Sequence, residues 1–441
     1  MIAAPPSWSG SYALPASAAR VAVSVQVHGR TATVSLGPGH SSATVVAFHV
    51  RGKRVRFTLP GLPHNVRFDG AVKGKRLSGT VSQGRLRGRF SLHRGLARII
   101  SLLGVYRSAG GEGAAVLEAD GLPPFLVEFP SGETHGIGPS LMVGKRLGDK
   151  QGNGSLAVDA TGFSWKGTHY ARVPLRQREI RVGAIAATLS LPRGARPFPA
   201  VAMVHGSGPR TRDEFDIFSA YLELHGVAVL ADDKRGVGES GGSYPGEAAN
   251  PAAIDVLARD AQAEVRFLDR LPQVDPTRVG LLGDSQAGWI IPLAAQRDPA
   301  VRWALLNSGP TTTVGETDYW GQLAGESESP PSGTRQEMLD EVRAAGPSGF
   351  DPVPSLQALS IPVLWMYGSD DRNVPTELCL ERLEGLVHAH DFSWIVLPTT
   401  HTPLILPTGL LSSLPQSPGF DSRFFPGVDA WLRAKGILAS A

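Results

Sequence analysis

One cysteine, Cys379, occurs in 441 residues, so no intramolecular disulfide can form and stability must come from a packed core. Lying in TELCLERL, it reads as a small apolar residue on a helix. No apolar run reaches the roughly 20 residues that a membrane-spanning helix needs. The start, MIAAPPSWSG, has no basic region followed by an apolar stretch. The expectation is therefore no membrane span and no signal peptide in this chain, as in a cytoplasmic protein or the mature form of an exported one. No H-E-x-x-H and no clustered His/Asp ligand set occurs, so no metal site is expected. What the chain has in quantity is Gly (52) and Pro (35), which mark many turns, and an apolar content of 42% with 19% charged residues, the composition of a globular protein.

The net charge of +3 conceals two unlike halves. Residues 1–177 carry 22 Lys and Arg against 8 Asp and Glu, whereas 178–441 carry 21 against 32. Basic charge can signal nucleic acid, but no recognition motif accompanies it. The spacing points instead to a solvated sheet face: Arg54 and Arg56 alternate with Val55 and Phe57, and Arg85, Arg87 and Arg89 with Leu86, Gly88 and Phe90. No nucleic-acid partner is expected.

From Trp8 to about His93 the chain reads as short alternating segments (VAVSVQV, TATVSL, RVRFTLP, LRGRFSL) between Gly-containing turns, predicting an all-β region, an antiparallel sheet or small barrel, over 1–93. Residues 94–177 continue in that style as a second β-rich region or linker, with strands expected at Leu141–Val143, Leu156–Val158 and Phe163–Trp165. The seven histidines of this half lack ligand or dyad spacing. Near Arg178 strands and helices begin to alternate, which specifies an α/β fold with a mostly parallel sheet covered on both faces over 178–441. Residues 310–358, rich in Gly, Pro and Ser with one helical patch at Arg335–Ala345, read as an inserted cap.

The chain is organised around RVGLLGDSQAGWIIPL, residues 278–293. A short apolar run breaks at Gly283-Asp284-Ser285-Gln286-Ala287-Gly288 and a helix-like segment follows, putting Ser285 on a sharp strand-to-helix turn. Such a turn needs small neighbours, which Gly283, Ala287 and Gly288 provide; Ala287 stands where G-x-S-x-G has its last Gly. In an open α/β sheet, chemistry gathers beyond the carboxyl ends of strands. After Met366 comes a loop with Asp370 and Asp371, and after Leu397 a loop with His401. The spacing Gly368-x-x-Asp371-x-x-Val374-Pro375 favours Asp371 over Asp370, and His401, unlike His388 and His390, follows a strand.

Ser, Asp and His in this order supply what acyl transfer requires. A serine hydroxyl is a weak nucleophile until an imidazole takes its proton, and the imidazole needs a carboxylate to fix its tautomer. Ser285, Asp371 and His401 are the candidate catalytic residues. His205-Gly-Ser-Gly follows an earlier strand, and the N–H groups of Ser207 and Gln286 are the candidate oxyanion donors. His205 itself reads as scaffold. Gly236-x-Gly238-x-x-Gly241 matches a dinucleotide fingerprint superficially, but Ser243-Tyr244-Pro245-Gly246 continues as loop where a helix should open.

Segment 178–441 resembles the α/β-hydrolase superfamily, and within it bacterial serine esterases, through Pro197, Pro199, Ala200 and Val201, His205 to Pro209, Arg212-Asp213-Glu214, Asp233-Lys-Arg-Gly-Val-Gly-Glu-Ser240, Asp284-Ser285-Gln286 with Pro292, and Gly368-x-x-Asp371-x-x-Val374-Pro375. The resemblance implies hydrolysis of a small-molecule carboxylic ester through an acyl-enzyme, without a cofactor. A peptidase is the runner-up on the same fold, because the triad serves amides equally, and a non-catalytic binding protein is the third reading.

Overall fold

The computed structural model describes residues 7–13, 21–28, 31–36, 44–59, 65–74, 76–94, 102–117, 125–137, 142–143, 154–194, 196–246, 250–326, 330–401 and 420–439. Leu141, the first residue of one expected strand, lies outside them. The chain divides into two compact units: one is 1–104, 115–126 and 135–171; the other is 105–114, 127–134 and 172–441.

In the first unit nine antiparallel strands form a sheet that starts and ends on neighbouring segments: Thr44–Ala47 lies at one edge and His49–Arg51 at the other, with only Phe48 between them. Val46, Phe48, Val55 and Phe57 from these two margins belong to one buried cluster, so the sheet wraps around its own core as a small barrel. Arg54–Leu59 alternates exposed and buried residues as its sequence predicts, and a ladder of rings (Phe48 to Phe57, 5.7 Å; Phe57 to Phe68, 4.5 Å; Phe68 to Phe90, 5.2 Å) fills the interior. Outside, Arg54 and Arg56 share Asp69 at 2.9 Å each. Leu86 departs from the expected alternation: it opens its strand and remains exposed. Beyond the barrel, Gly162–Trp165 and Thr168–Arg172 form a hairpin.

The second unit holds an eight-stranded sheet, numbered here β1 (Arg176–Val182), β2 (Ile185–Leu191), β3 (Phe198–Val204), β4 (Ala228–Asp232), β5 (Val274–Asp284), β6 (Trp303–Asn307), β7 (Val363–Gly368) and β8 (Phe392–Leu397). Its order is β1-β2-β4-β3-β5-β6-β7-β8. Strand β2 runs antiparallel to β1 and β4, and all later pairs are parallel. Strands β3, β4, β6 and β7 are buried at every position, as parallel strands covered on both faces must be. This is the α/β-hydrolase fold that the resemblance implies.

The long crossover helix Pro251–Asp269 starts where Asn250 accepts the Ala252 N–H (3.1 Å) and Pro251 takes a position that needs no donor. Its Ile254, Leu257, Ala258, Ala261, Val265 and Leu268 recur at helical spacing and are buried in the sheet's main cluster. Each large aliphatic side chain so buried contributes roughly 1.5–3 kcal/mol. The inserted segment differs from the expectation of one helical patch. Besides Arg335–Ala345 it contains the helices Val314–Ala324 and Val353–Gln357. The first of these starts at a capping box, Thr313 and Glu316, whose T-x-x-E pattern is visible in the sequence.

Candidate active site

Strand β5 ends at Asp284 and the helix Ala287–Arg297 begins three residues later. Between them Ser285 has φ +50°, a left-handed conformation that costs a residue with a side chain about 1 kcal/mol or more. The surrounding contacts impose it. The Ser285 N–H donates to the Asn307 carbonyl (2.9 Å) and its carbonyl accepts from Gly288 (2.8 Å). A side chain on Gly283 would meet the Ala287 Cβ at 2.4 Å and the Val204 carbonyl at 2.5 Å, so the turn closes only over glycine.

Strands β7 and β8 deliver the other two groups. Asp371 is fully buried, whereas Asp370 is exposed. The Asp371 carboxylate accepts the backbone N–H groups of Asn373 (2.8 Å) and Val374 (2.9 Å) through Oδ1 and lies 2.9 Å from His401 Nδ1 through Oδ2. His388 and His390 lie elsewhere; the latter hydrogen-bonds the Leu359 carbonyl. The two loops are laced together by Ser369 N–H to the Leu397 carbonyl (2.8 Å) and Asp370 N–H to the Thr399 carbonyl (2.9 Å). Gly368 permits that lacing, since a Cβ there would strike the Thr399 and Thr400 carbonyls at 2.4 and 2.1 Å.

Strand β6 ties this pair to the elbow. Asn307 holds the Ser285 N–H, and the next residue, Ser308, donates its hydroxyl to the His401 carbonyl (2.6 Å). Ser308 is itself left-handed, φ +46°. From the inserted segment, Trp320 Nε1 (3.3 Å) and the Arg335 guanidinium (3.4 Å) donate to the Asp371 carbonyl. Sequence reading missed Ser308 and Arg335.

The candidate oxyanion loop follows β3. Gly206 N–H donates to Asp284 Oδ1 (3.1 Å), and a methyl group on Gly206 would stand 3.3 Å from the Ser285 Cβ, so Ser207 follows directly on the residue that flanks the elbow. Gln286 is completely buried and Ser207 is exposed. Among the described residues, neither the Ser207 nor the Gln286 N–H is taken up by an intramolecular acceptor. His205 lies beneath, its ring between Glu214 (3.1 Å) and the Asp232 carbonyl (2.7 Å), as its reading as scaffold expects.

Burial lowers the basicity of His205, but Asp232 and Glu214 outweigh it and hold the ring at about 10, a cation at neutral pH. Burial and Glu214 push Asp284 up to about 6, against His205 and His401. His401 is also penalised by burial, yet Asp371, then Asp284 and Glu326, raise it above the ordinary imidazole value. The Gly236-x-Gly238-x-x-Gly241 stretch is loop throughout, and Arg235 fastens it to Asp260 of the crossover helix (2.8 Å).

A family model described as FrsA-like esterase matches residues 166–304, a span that includes Ser285 and stops before Asp371 and His401. Esterase EstD of Thermotoga maritima is 26% identical over 248 residues, covering 47% of this chain and 56% of EstD. Acyl-coenzyme A thioesterase 5 of Mus musculus is 25% identical over 241 residues, 50% of this chain and 52% of that protein. The chain thus spans about half the length of these curated relatives. Among solved structures, a Pyrococcus furiosus esterase overlaps 60% of this chain and 93% of its own, at 18% identity and a TM-score of 0.42.

Proposed function

We propose that this chain, whose second unit is an α/β-hydrolase, is a serine hydrolase that cleaves small-molecule carboxylic esters. Ser285 Oγ attacks the ester carbonyl while His401 Nε2 takes its proton, and the carbonyl's electron pair moves onto oxygen between the Ser207 and Gln286 N–H groups. The oxyanion collapses, His401 gives the proton to the departing alkoxide, and the alcohol leaves a Ser285 acyl ester. Water, deprotonated by His401, then attacks that ester; the acid departs and Ser285 recovers its proton. Asp371 holds His401 with Nδ1 protonated and balances the imidazolium. Each oxyanion donor contributes roughly 3 kcal/mol in such sites.

The observation that carries this reading is the left-handed Ser285 at the strand-to-helix turn, roped through Asn307 and Ser308 to a His401 that is bonded to a fully buried Asp371. The names of the relatives, an esterase and acyl-CoA thioesterases, favour oxygen and sulfur esters over amides. The test is turnover by the purified chain of p-nitrophenyl acyl esters of increasing chain length, acyl-CoA thioesters and aminoacyl anilides. Esters are expected to turn over fastest; cleaved anilides with untouched esters would replace this reading by a peptidase.

A further inference from the structure

Lys234, in the loop after β4, is among the most buried charged residues of the second unit, 2% exposed. Its Nζ is 2.7 Å from the Gly206 carbonyl, 3.2 Å from the Gly208 carbonyl and 2.8 Å from Gln286 Oε1. An ammonium has three N–H donors and no acceptor, so these oxygens match its donor number, whereas a neutral amine would leave one of them unserved inside the protein. The Tyr244 ring lies 5.6 Å from Nζ.

The identity of the three oxygens matters. The Gly206 carbonyl shares its peptide plane with the Ser207 N–H, so one bond from the ammonium holds the very peptide that carries one candidate oxyanion donor, and the bond to the Gly208 carbonyl holds the loop just beyond it. The third fixes the side chain of the residue that supplies the other donor. Among the described residues Gln286 Nε2 has no hydrogen-bond partner, while its Oε1 is held by Lys234. The two donors come from chain segments about eighty residues apart, and each could drift independently; a donor displaced by an ångström loses most of its hold on a developing negative charge.

We propose that Lys234 is a positioning residue for the oxyanion hole, a cationic strut that sets the spacing between the Ser207 and Gln286 N–H groups. The assignment rests on the serine-hydrolase reading, and it concerns a residue that does not touch substrate. Because these donors act on charge that exists only in the transition state, losing the strut lowers kcat and leaves KM nearly unchanged.

The test compares Lys234→Met and Gln286→Met, with active sites counted by stoichiometric fluorophosphonate labelling so that misfolded protein is excluded from the rate. Lys234→Met is expected to lower kcat per active site about a hundredfold with KM within about twofold. A trifluoromethyl ketone, whose serine adduct carries the oxyanion, should lose affinity by the same factor as kcat/KM. Gln286→Met should fall in the same direction, and the double variant should be no worse than Lys234→Met alone. If Lys234→Met keeps kcat within threefold, or its loss appears in KM, the strut is refuted. Should Lys234→Met fail to fold, Gln286→Met decides alone, with unchanged ketone affinity counting against the proposal. A wild-type chain that neither labels nor hydrolyses esters would defeat the parent reading, whereas an active wild type matched by both variants defeats only this one.

Discussion

The barrel of residues 7–94 and the parallel sheet of the second unit meet the same need, burial of apolar surface, in opposite ways. Barrel strands such as Arg54–Leu59 bury every other residue and give the alternate positions to solvent, where Arg54 and Arg56 sit. Strands β3, β4, β6 and β7 bury every residue and leave no face free. A strand covered on both sides can present polar chemistry only where it stops, and here the stops carry His205, Ser285, Ser308, Asp371 and His401. The alternating strands give their exposed positions to charge such as that of Arg54 and Arg56. The difference teaches that arginines such as Arg54, Arg56, Arg87 and Arg89 stand exposed on strands whose alternate positions face the barrel's core.

Substitutions should divide along the same line. The largest effect belongs to the elbow: Ser285→Ala should cut ester turnover by about a millionfold while leaving circular dichroism and melting unchanged. Next, Asp371→Asn should cost about 10⁴ in kcat, because the amide favours the wrong His401 tautomer. The pH profile sharpens this. On the proposed mechanism His401 acts as base only when neutral, and Asp371, Asp284 and Glu326 raise it above the ordinary imidazole value against the penalty of burial, so the acid limb of kcat/KM should have its midpoint above 6.5. Removing the Asp371 charge should move the residual limb to lower pH.

The barrel should answer in the other currency. Phe68→Ala, deleting a ring stacked 4.5 Å from Phe57 and edge-on to Phe90, should destabilise the first unit by about 3–5 kcal/mol in denaturant melts, with kcat for the ester unchanged. Loss of ester turnover in proportion to that destabilisation would break the separation. The smallest effect is expected outside the barrel, where Asp69→Asn should leave the melting temperature within about one degree, because exposed ion pairs contribute little.

Much of this was legible in the sequence because it is local. Alternation marked the barrel strands, unbroken apolar runs marked β3, β6 and β7, and the loops after Met366 and Leu397 offered few carboxylates and one imidazole to choose among. The choice of Asp371 over Asp370 rested on spacing, and the structure gives it a physical form: one carboxylate is buried on two backbone amides, the other faces water. Helix Val314–Ala324 escaped notice because its glycines and mixed polarity mask the period, although its capping box was there to read. The ties among loops were beyond reach. Ser308 to His401 and Lys234 to Gln286 join residues 93 and 52 positions apart, and no local pattern encodes a hydrogen bond between distant strand ends.

The central claim is that Ser285 is the nucleophile and His401 its base, and peptide mapping by mass spectrometry after reaction with a fluorophosphonate tests it most directly. One adduct per chain is predicted, on the peptide bearing Ser285, absent in Ser285→Ala and formed far more slowly in His401→Ala. An adduct on another residue, or equal labelling of Ser285→Ala and the wild type, would contradict the account.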